Sequence, residues 1–480
     1  MKRYLVVIGL MLMMLAVAAA QCSTARSNQT QVLAPVESLA ATSINNNEEA
    51  LENGDEERAG VASNTDSSAT ENEPEPVTGG SESPAADDAL AHGADAACED
   101  PFVGVGSANL RFYTGVWTAE QLARMGGEDI VKPDSGLATN FCLHNVDYRE
   151  ILSGGPPPDG IPPIDNPNFD TMAEGNTWLS DNHPVIALVV GGEARAYPLG
   201  ILTRHEIVND EIAGVPVAVT FCPLCNAGIV FNREANGEVL RFGVSGNLRN
   251  SDLVMWDNQT LSWWQQFTGE AIVGQMTGTQ LDIIPAQMVA WRDFKVAYPD
   301  GVVLSNNGRN YDVNPYAGYD SSSQPFLFRD RSGQPAAPDP RLPALERVLG
   351  YAAGDTAVAY PLSTIAAAGV IANTIDGQDV VIFYEPGAAS ALDDTSISAS
   401  REVGAAAMFS PQVKGRSLTF DYNDGIITDH ETGSEWNIFG RAISGALAGA
   451  QLEPMVSHTH FWFAWAAFRP DTLVYKEPGH

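Results

Sequence analysis

Two cysteines in the run Cys222-Pro223-Leu224-Cys225 carry the clearest potential for chemistry in this sequence. Cysteines at this spacing can close a small disulfide ring, which favours a thiol–disulfide redox centre. The same thiolates could instead supply half of a metal site, for Cu(I) or for Zn(II). A third interpretation is a structural disulfide that fastens a turn and is chemically inert. The spacing alone leaves all three interpretations open.

Residues elsewhere in the chain must assist these cysteines, because the sequence after Cys225 does not predict a helix. Asn226-Ala227-Gly228 leads into a β-hairpin, so no helix N-terminus is expected to lower a thiolate pKa. His205, which precedes Glu206, is a candidate for proton transfer or for a metal ligand. Arg249, in a turn-rich stretch, is a candidate for stabilising a thiolate. A closed zinc site needs four ligands, so the metal interpretation uses His205 and one further residue.

An internal duplication organises the sequence around these residues. The run VIALVVGGEARAYPL at 185–199 resembles RVLGYAAGDTAVAYPL at 347–362, and the Asp, Thr, Trp and Phe pattern at 257–267 recurs at 429–439. We predict two divergent copies of one unit, repeat 1 over 180–306 and repeat 2 over 345–477. The second copy has Glu-Pro-Gly where the first has its cysteines. The thiol chemistry is therefore expected in one copy of a duplicated scaffold.

Each repeat is predicted to consist mainly of β-hairpins with short helices. The Gly-Gly pair between the apolar arms of VIALVVGGEARAYPL is a strong hairpin signal. A short helix is predicted after Tyr197-Pro198 and after Tyr360-Pro361, and a longer one over Ala286–Tyr298 and over Ser457–Phe468, with Ser457 as the N-cap. The fold class is therefore α+β and β-rich, with two tandem divergent repeats. The lack of βαβ alternation and of a glycine-rich fingerprint counts against a dinucleotide-binding enzyme.

The first hundred residues predict export. Lys2-Arg3, the apolar run Tyr4–Ala20 and the small residues that end it are typical of a signal peptide over residues 1–22. Cys22 follows this run, which predicts lipidation of the kind found in bacterial lipoproteins. Residues 23–100 contain 17 acidic residues, two basic residues and no aromatic residue, which predicts a disordered acidic tether. The protein is expected outside the cytoplasm, secreted or anchored by lipid.

Charge and the remaining segments complete the predicted organisation. The chain has 60 acidic against 26 basic residues and a net charge of −34, which largely excludes a nucleic-acid partner. Residues 101–179 are predicted to form a loop-rich N-terminal extension, and 307–344 a linker between the repeats. Cys98 and Cys142 are predicted to form a disulfide in an oxidising compartment. Contact with a membrane is expected only through a lipid on Cys22.

Long stretches of the sequence resemble one bacterial family. They are RAYPLGILTRHEIVNDEIAGVPVAVTFCPLCNAGIVF at 195–231, FGVSGNLRNSDLVMWDNQTLSWWQQFTGEAI at 242–272 and FWFAWAAFRPDTLVY at 461–475. These blocks resemble the domain of unknown function 3179 family over about residues 136–477. That family has no established activity and is described as a (seleno)protein family. The resemblance implies that some members carry selenocysteine in the motif matching Cys222 and Cys225, which favours a redox-active atom over an inert disulfide.

These observations lead to one preferred expectation and two alternatives. The protein is expected to be a thiol-based oxidoreductase in which Cys222 or Cys225 attacks a disulfide or peroxide and the other cysteine resolves the intermediate. No cofactor is predicted, and the partner is a redox protein or a small molecule. The first alternative is a Cu(I) or Zn(II) module that uses both cysteines and His205. The second is an interaction scaffold with an inert disulfide.

Overall fold

The computed structural model describes Tyr113 and residues 138–477. Among these residues there are five short helices, α1 Met172–Gly175, α2 Leu199–His205, α3 Trp291–Ala297, α4 Leu362–Ala368 and α5 Trp462–Phe468. No helix in the described part of the chain is long and apolar enough to cross a membrane. Strands dominate the fold, as the sequence predicts.

The strands fall into two groups along the chain. The first group is β1 Ile151–Ser153, β2 Phe169–Thr171, β3 Pro184–Val190, β4 Glu193–Pro198, β5 Ile207–Ile212, β6 Val215–Cys222, β7 Ala227–Asn232, β8 Glu234–Ala235, β9 Glu238–Val239, β10 Phe242–Arg249, β11 Asp252–Asp257, β12 Trp263–Gln265, β13 Glu270–Val273, β14 Ile283–Ile284, β15 Ala286–Ala290 and β16 Val302–Leu304. The second is β17 Arg347–Ala353, β18 Thr356–Pro361, β19 Val370–Ile375, β20 Gln378–Glu385, β21 Ala405–Phe409, β22 Gln412–Val413, β23 Arg416–Ser417, β24 Phe420–Asn423, β25 Ile426–Asp429, β26 Glu435–Trp436, β27 Ser457–Phe461 and β28 Leu473–Val474.

The hairpin of β3 and β4 illustrates how local sequence sets the fold. The two strands pair antiparallel from Val190 opposite Glu193 back to Val185 opposite Pro198. Gly191 and Gly192 form the two-residue turn with φ values of 58° and 88°, which glycine adopts without steric cost. This positive-φ pair lets the chain reverse tightly, so the apolar arms face each other in register.

Residues 180–306, which we call the first half, and residues 345–477, which we call the second half, contain sheets of similar strand order. One sheet has the order β15-β3-β4-β16 with β2 at its edge, and another has the order β27-β17-β18-β28. Helix α2 follows β4 as α4 follows β18, and α3 follows β15 as α5 follows β27. Sheet β14-β7-β6-β5 of the first half has the three-stranded sheet β19-β20-β21 as its counterpart in the second half.

The helices show one difference from the prediction. A helix follows Tyr197-Pro198 and Tyr360-Pro361 as predicted, but the longer helices predicted over Ala286–Tyr298 and Ser457–Phe468 are shorter. The N-terminal part of each is a strand, β15 or β27, that pairs with β3 or β17. Ser457 is therefore not an N-cap, and α5 begins at Trp462 after Phe461. Hydrogen bonding to a distant strand outweighs the local helical pattern here.

The hydrophobic core joins the two halves. The largest cluster of buried side chains contains Ile186 and Phe221 from the first half together with Val348, Phe461 and Trp462 from the second half. A second cluster likewise combines strands of both halves. Strands β6 and β7 contribute fully buried residues to the largest cluster, so the turn between them is held rigidly inside the protein.

The N-terminal extension is attached to the first half by buried polar contacts. Asp159 accepts hydrogen bonds from Arg241 Nη1 at 2.7 Å, from the Val244 amide at 2.9 Å and from Trp256 Nε1 at 3.0 Å. Cys142 is disulfide-bonded. Its predicted partner Cys98 lies outside the described residues, as do the signal peptide, Cys22 and the acidic tether.

Candidate functional site

The turn between β6 and β7 carries both cysteines of the motif. β6 ends at Cys222, a 3₁₀ turn spans Pro223–Cys225, and Asn226 reverses the chain with a left-handed φ of 49°. Proline fits the first position of such a turn because its missing N–H would have no partner there. Cys222 then faces Ala227 across the two strands. The turn thus brings the two sulfur atoms to the same side of one hairpin end.

Both cysteines are free thiols in the interior of the protein. Cys222 is 1% exposed and Cys225 is 0% exposed. The two thiols interact with each other, and the Cys222 sulfur lies 3.8 Å from the Ser251 carbonyl oxygen. Ser251 belongs to the turn between β10 and β11, so a second hairpin closes over the first. The site is formed where these two hairpin ends meet.

Asp252, the first residue of β11, joins the cysteines at this junction. Its side chain is fully buried, and its Oδ1 accepts hydrogen bonds from Gln265 Nε2 at 2.7 Å and from the Phe267 amide at 2.9 Å. No nitrogen or oxygen donor of the described residues reaches its Oδ2. One ligand atom each from Cys222, Cys225 and Asp252 lie within 4.8 Å of one another. The two thiols are therefore the polar groups that face this carboxyl.

Glu206 adds a second buried carboxyl to this site. It caps the C-terminal end of α2 with a φ of 58°, a left-handed conformation that is uncommon for a residue other than glycine. Its carbonyl oxygen accepts a hydrogen bond from the Phe221 amide at 2.8 Å, which ties it to the strand that ends at Cys222. We call Cys222, Cys225, Asp252 and Glu206 the thiol–carboxyl cluster.

Burial changes the acidity of every member of the thiol–carboxyl cluster. It raises the pKa of Asp252 to about 7, although hydrogen bonds from Gln265 and the Phe267 amide oppose the rise. Burial, and then the charge of Asp252, raise the pKa of Glu206 to about 8. Burial also raises the pKa of the Cys222 thiol, and it raises that of Cys225 further. At neutral pH both thiols are protonated, whereas Asp252 is close to half ionised.

A part of the predicted linker covers the thiol–carboxyl cluster. The Tyr319 hydroxyl donates to the Leu224 carbonyl oxygen at 3.0 Å and accepts a hydrogen bond from the Phe326 amide at 3.3 Å. The Ser251 hydroxyl donates to the Phe326 carbonyl oxygen. Tyr316 packs on the same core and is close enough for the charges of Glu206 and Cys222 to raise its pKa, after burial. We call residues 316–326 the cover segment.

The structure does not bring His205 or Arg249 to the thiols. His205 Nδ1 lies 2.7 Å from the Pro162 carbonyl oxygen, and its Nε2 lies 2.9 Å from the Tyr311 hydroxyl. Both ring nitrogens are therefore occupied, with Nδ1–H as the donor to the carbonyl. Arg249 forms an ion pair with Glu150 at 2.8 Å, and its guanidinium lies over the Phe468 ring. Proton transfer and thiolate stabilisation must come from other groups.

Asp252 and Glu206 are the site residues that the sequence reasoning missed. Asp252 closes the Gly-, Asn- and Ser-rich stretch that the sequence indicates as a turn, and Glu206 directly follows His205. The usable signal was an acidic residue next to an apolar strand, since a buried carboxyl at such a place needs a partner. The sequence could not show which side chain lies near the thiols. The charge of Glu206 contributes to the raised pKa of Cys222, whereas both ring nitrogens of His205 bind Pro162 and Tyr311.

Two kinds of chemistry fit this arrangement. A dithiol beside a carboxyl whose pKa is near 7 can exchange protons during disulfide formation. Two sulfur atoms and one carboxylate oxygen in mutual proximity are also suitable ligands for Zn(II), and the sulfur atoms for Cu(I). His458 and His460 belong to neither arrangement, because they lie on β27, and the His460 ring packs between Phe267 and Trp465.

Comparison with known families places this site inside a recognised family model. The model of a family described as protein of unknown function (DUF3179) matches residues 158–472, which include all four residues of the thiol–carboxyl cluster and the cover segment. No curated protein matches. No solved structure matches either.

Proposed function

This chain belongs to the DUF3179 family, whose function is unknown, and from the geometry of the thiol–carboxyl cluster we propose that it is a dithiol–disulfide redox protein. One observation carries the proposal. The free thiols of Cys222 and Cys225 lie with the Asp252 carboxyl within 4.8 Å, and the pKa of that carboxyl is about 7. A proton acceptor matched to neutral pH thus stands beside two thiols that can form a disulfide.

The proposed reaction exchanges electrons with the disulfide of a partner molecule. The sulfur of one cysteine attacks a partner sulfur while its proton moves to the Asp252 carboxylate, and the partner disulfide opens to a mixed disulfide and a leaving sulfur, which takes this proton from Asp252 and becomes a thiol. The second cysteine then attacks the mixed disulfide and releases the second partner thiol. The two cysteines lose two electrons and two protons in total, and the partner gains both. The reverse sequence reduces the protein again.

Asp252 is essential to this proposal because the thiols are poorly acidic. Burial raises the pKa of both cysteines, so few thiolates form spontaneously at neutral pH. A carboxylate in direct contact can accept the proton as the sulfur–sulfur bond forms, so a free thiolate need not accumulate. Glu206, whose pKa is raised to about 8, is mostly protonated at pH 7 and limits the negative charge beside the reacting sulfur.

Access of a partner requires the cover segment to move. The thiols have almost no exposed surface, and the Tyr319 hydroxyl and the Phe326 backbone close the site by hydrogen bonds to Leu224 and Ser251. Asp320, whose side chain is buried, anchors the middle of this segment through ion pairs with Arg347 and Arg401 at 3.0 Å. Opening should therefore be local, confined to the contacts that Tyr319 and Phe326 make with Leu224 and Ser251. The predicted export signal, outside the described residues, would place the protein in a compartment that contains disulfide partners.

A metal-binding function is the second candidate, and it is favoured by the Oδ2 of Asp252, which no nitrogen or oxygen donor of the described residues reaches. Buried carboxylates are commonly paired or bound to a cation, and Cys222, Cys225 and Asp252 offer two sulfur atoms and one oxygen within 4.8 Å. In this form of the proposal Asp252 replaces His205 in the ligand set. Three protein ligands would leave a fourth position for water or for a bound molecule.

Thiol trapping in defined redox buffers tests the primary proposal. The full-length protein is equilibrated in buffers of graded glutathione to glutathione disulfide ratio, quenched with a maleimide and analysed by peptide mass. We expect a reversible Cys222–Cys225 disulfide whose population follows the buffer ratio and which is absent in Cys222→Ser. Thiols that stay reduced in every buffer, or a disulfide that no buffer reduces, would contradict the proposal.

Metal analysis tests the second candidate separately. The reduced protein is titrated with Zn(II), and the bound metal is measured after removal of excess ion. Stoichiometric binding that is lost in both Asp252→Asn and Cys225→Ser would support the metal site. Binding that survives the Asp252 substitution would exclude the three-ligand arrangement.

A further inference from the structure

A cavity of about 230 Å³ lies where strands of the two halves meet. Its walls include residues of β15 from the first half and of β21 and β27 from the second half. The cavity is distinct from the thiol–carboxyl cluster, none of whose residues lines it. Neither the redox proposal nor its metal alternative uses this cavity.

Methionines are concentrated in the wall of this cavity. The chain has 11 methionines, and Met288, Met408 and Met455 all line the cavity. Four others belong to the N-terminal stretch that precedes residue 15, so the three cavity methionines are a large share of those in the rest of the chain. We call this space the methionine cavity.

Two of the three methionines are neighbours through a backbone hydrogen bond, and the third lines the cavity from the other half. The Met455 amide donates a hydrogen bond to the Met408 carbonyl oxygen at 2.9 Å, so these two residues are direct neighbours on adjacent segments. Met288 approaches from the opposite half. A Cβ atom at Gly228 would lie 3.0 Å from the Met288 sulfur, so glycine at this position leaves the space that the thioether occupies. The absence of a side chain at Gly228 thus lets the Met288 sulfur pack closely against β7.

His458 supplies a nitrogen ligand to the same wall. Its side chain is 8% exposed, it lines the cavity, and its Nε2 has no hydrogen-bond partner among the described residues. Burial lowers the pKa of His458 to about 4, so the ring is neutral at pH 7 and its nitrogen is free of a competing proton. A buried imidazole nitrogen without a partner is costly, and a bound ion would offset that cost.

The charge of the cavity wall indicates which kind of ion could bind there. None of the described residues that line the cavity is acidic or basic apart from the neutral His458. Hard divalent cations such as Ca²⁺ and Mg²⁺ need several oxygen ligands, commonly carboxylates, and this wall has no carboxylate to offer. Thioether sulfur and imidazole nitrogen are the ligands that suit Cu(I), and a single positive charge is less costly to bury than two.

We propose that the methionine cavity binds Cu(I) through the thioether groups of Met288, Met408 and Met455 and the imidazole of His458. The ligands come from both halves of the chain, so the bound ion would join them. The site is independent of the cysteines. A test must therefore remove the cysteines first, because thiolates also bind Cu(I) tightly.

The experiment uses full-length protein with Cys222→Ser and Cys225→Ser. Cu(I) is supplied anaerobically with ascorbate, and bicinchoninate serves as the coloured competitor. We expect one equivalent of Cu(I) to be bound in this background. Adding Met408→Leu and Met455→Leu should weaken binding by at least about tenfold, since leucine conserves volume but has no sulfur. Met276→Leu, a buried methionine outside the cavity, is the matched control and should leave binding unchanged.

Two results would overturn the proposal. One is a protein that releases all Cu(I) to the competitor while its cysteines are absent. The other is equal affinity in Met408→Leu/Met455→Leu and in Met276→Leu. Ag(I), a redox-inert substitute for Cu(I), gives a measurement that does not depend on mutant stability. On Ag(I) addition the methionine methyl NMR signals of Met288, Met408 and Met455 should shift, and that of Met276 should not.

Discussion

Asp252 and Cys225 come from different hairpins, yet the Asp252 carboxyl and the Cys225 thiol meet in a fully buried site. Burial, and then the neighbouring Cys222 and Asp252, raise the pKa of the Cys225 thiol there. The contact exists because the turn after β6 and the turn before β11 pack end to end. The properties of this thiol therefore depend on residues that are distant from it in the sequence.

Asp252→Asn should slow disulfide exchange of Cys222 and Cys225 by about 100-fold at pH 7, because the amide cannot accept the thiol proton. In the wild-type protein the rate should rise as the pH increases through about 7, where Asp252 ionises. In the variant this rise should move to higher pH, where the thiols themselves ionise. Stopped-flow exchange with glutathione disulfide measures both effects. Asp282→Asn, at an exposed carboxyl of the same half, is the control, and equal rates in the two variants would refute the role of Asp252.

The free energy of unfolding of the reduced protein should fall as the pH rises from about 7 to 8. This is above the range in which the buried histidines, whose folded-state pKa is lowered, make stability rise with pH. Folding raises the pKa of Asp252 to about 7 and of Glu206 to about 8, so the folded state holds protons that the unfolded state has released. A folded-state pKa that is higher by one corresponds to about 1.4 kcal/mol of stability, which is present at low pH and is lost as the pH rises through the folded-state pKa. Urea unfolding at pH 7 and pH 8 measures the fall. Glu206→Gln should reduce it, and a fall as large as in the wild type would contradict the assigned burial of this carboxyl.

Tyr319→Phe should make the buried thiols easier to reach. The substitution removes the hydroxyl that donates to the Leu224 carbonyl oxygen and accepts from the Phe326 amide. Loss of about 1 kcal/mol of hydrogen bonding should increase the open population, and the rate of maleimide labelling of Cys222 and Cys225, by about fivefold. Tyr351→Phe is the control, because its hydroxyl donates to Gln378 Oε1 in the second half. If both variants label at the wild-type rate, the cover segment does not control access.

Thr260→Val and Thr432→Val should destabilise the protein by similar amounts. Thr260 donates to Asp257 Oδ2 at 2.7 Å, and Thr432 donates to Asp429 Oδ2 at 2.9 Å, at corresponding places in the two halves. Each loss should cost about 1.5–3 kcal/mol, because the acceptor is a carboxylate. Denaturant midpoints at constant slope provide the measurement. A cost confined to one of the two sites would show that the carboxylates are held differently in the two halves.

Non-reducing peptide mapping should identify Cys98 as the partner of Cys142. Cys142 is disulfide-bonded, and Cys98 is the predicted partner from the sequence. In Cys98→Ser the thiol of Cys142 should become available to alkylation without reductant, whereas Cys222→Ser should leave it protected. A linked peptide that contains any other cysteine would replace this assignment.

Local sequence signals are sufficient to predict the hairpins and the helices after Tyr197-Pro198 and Tyr360-Pro361. The Gly191-Gly192 turn and the proline before α2 act within a few residues, so their effects can be read from the sequence. Ser457–Phe461 is a strand where the sequence predicts a helix, because a run of His and aromatic residues is compatible with either. Its pairing with β17, more than 100 residues earlier, decides the outcome.

In the candidate site, too, some features depend on neighbouring residues and others on contacts between residues that are distant in the sequence. The spacing of Cys222 and Cys225 indicates the candidate pair, because a turn of this length depends on neighbouring residues alone. Asp252 could not be predicted, since its position depends on how two separate hairpins pack. The direction of His205 depends on Pro162 and Tyr311, which approach from distant parts of the chain.

The shared hydrophobic core has a consequence for how this chain folds. Phe221 of the first half and Phe461 of the second half belong to one buried cluster, so separation of the halves would expose apolar surface on both. Neither half is then an autonomous folding unit. We expect a single cooperative melting transition. Unfolding of β27 should therefore also destabilise the hairpin that carries the cysteines.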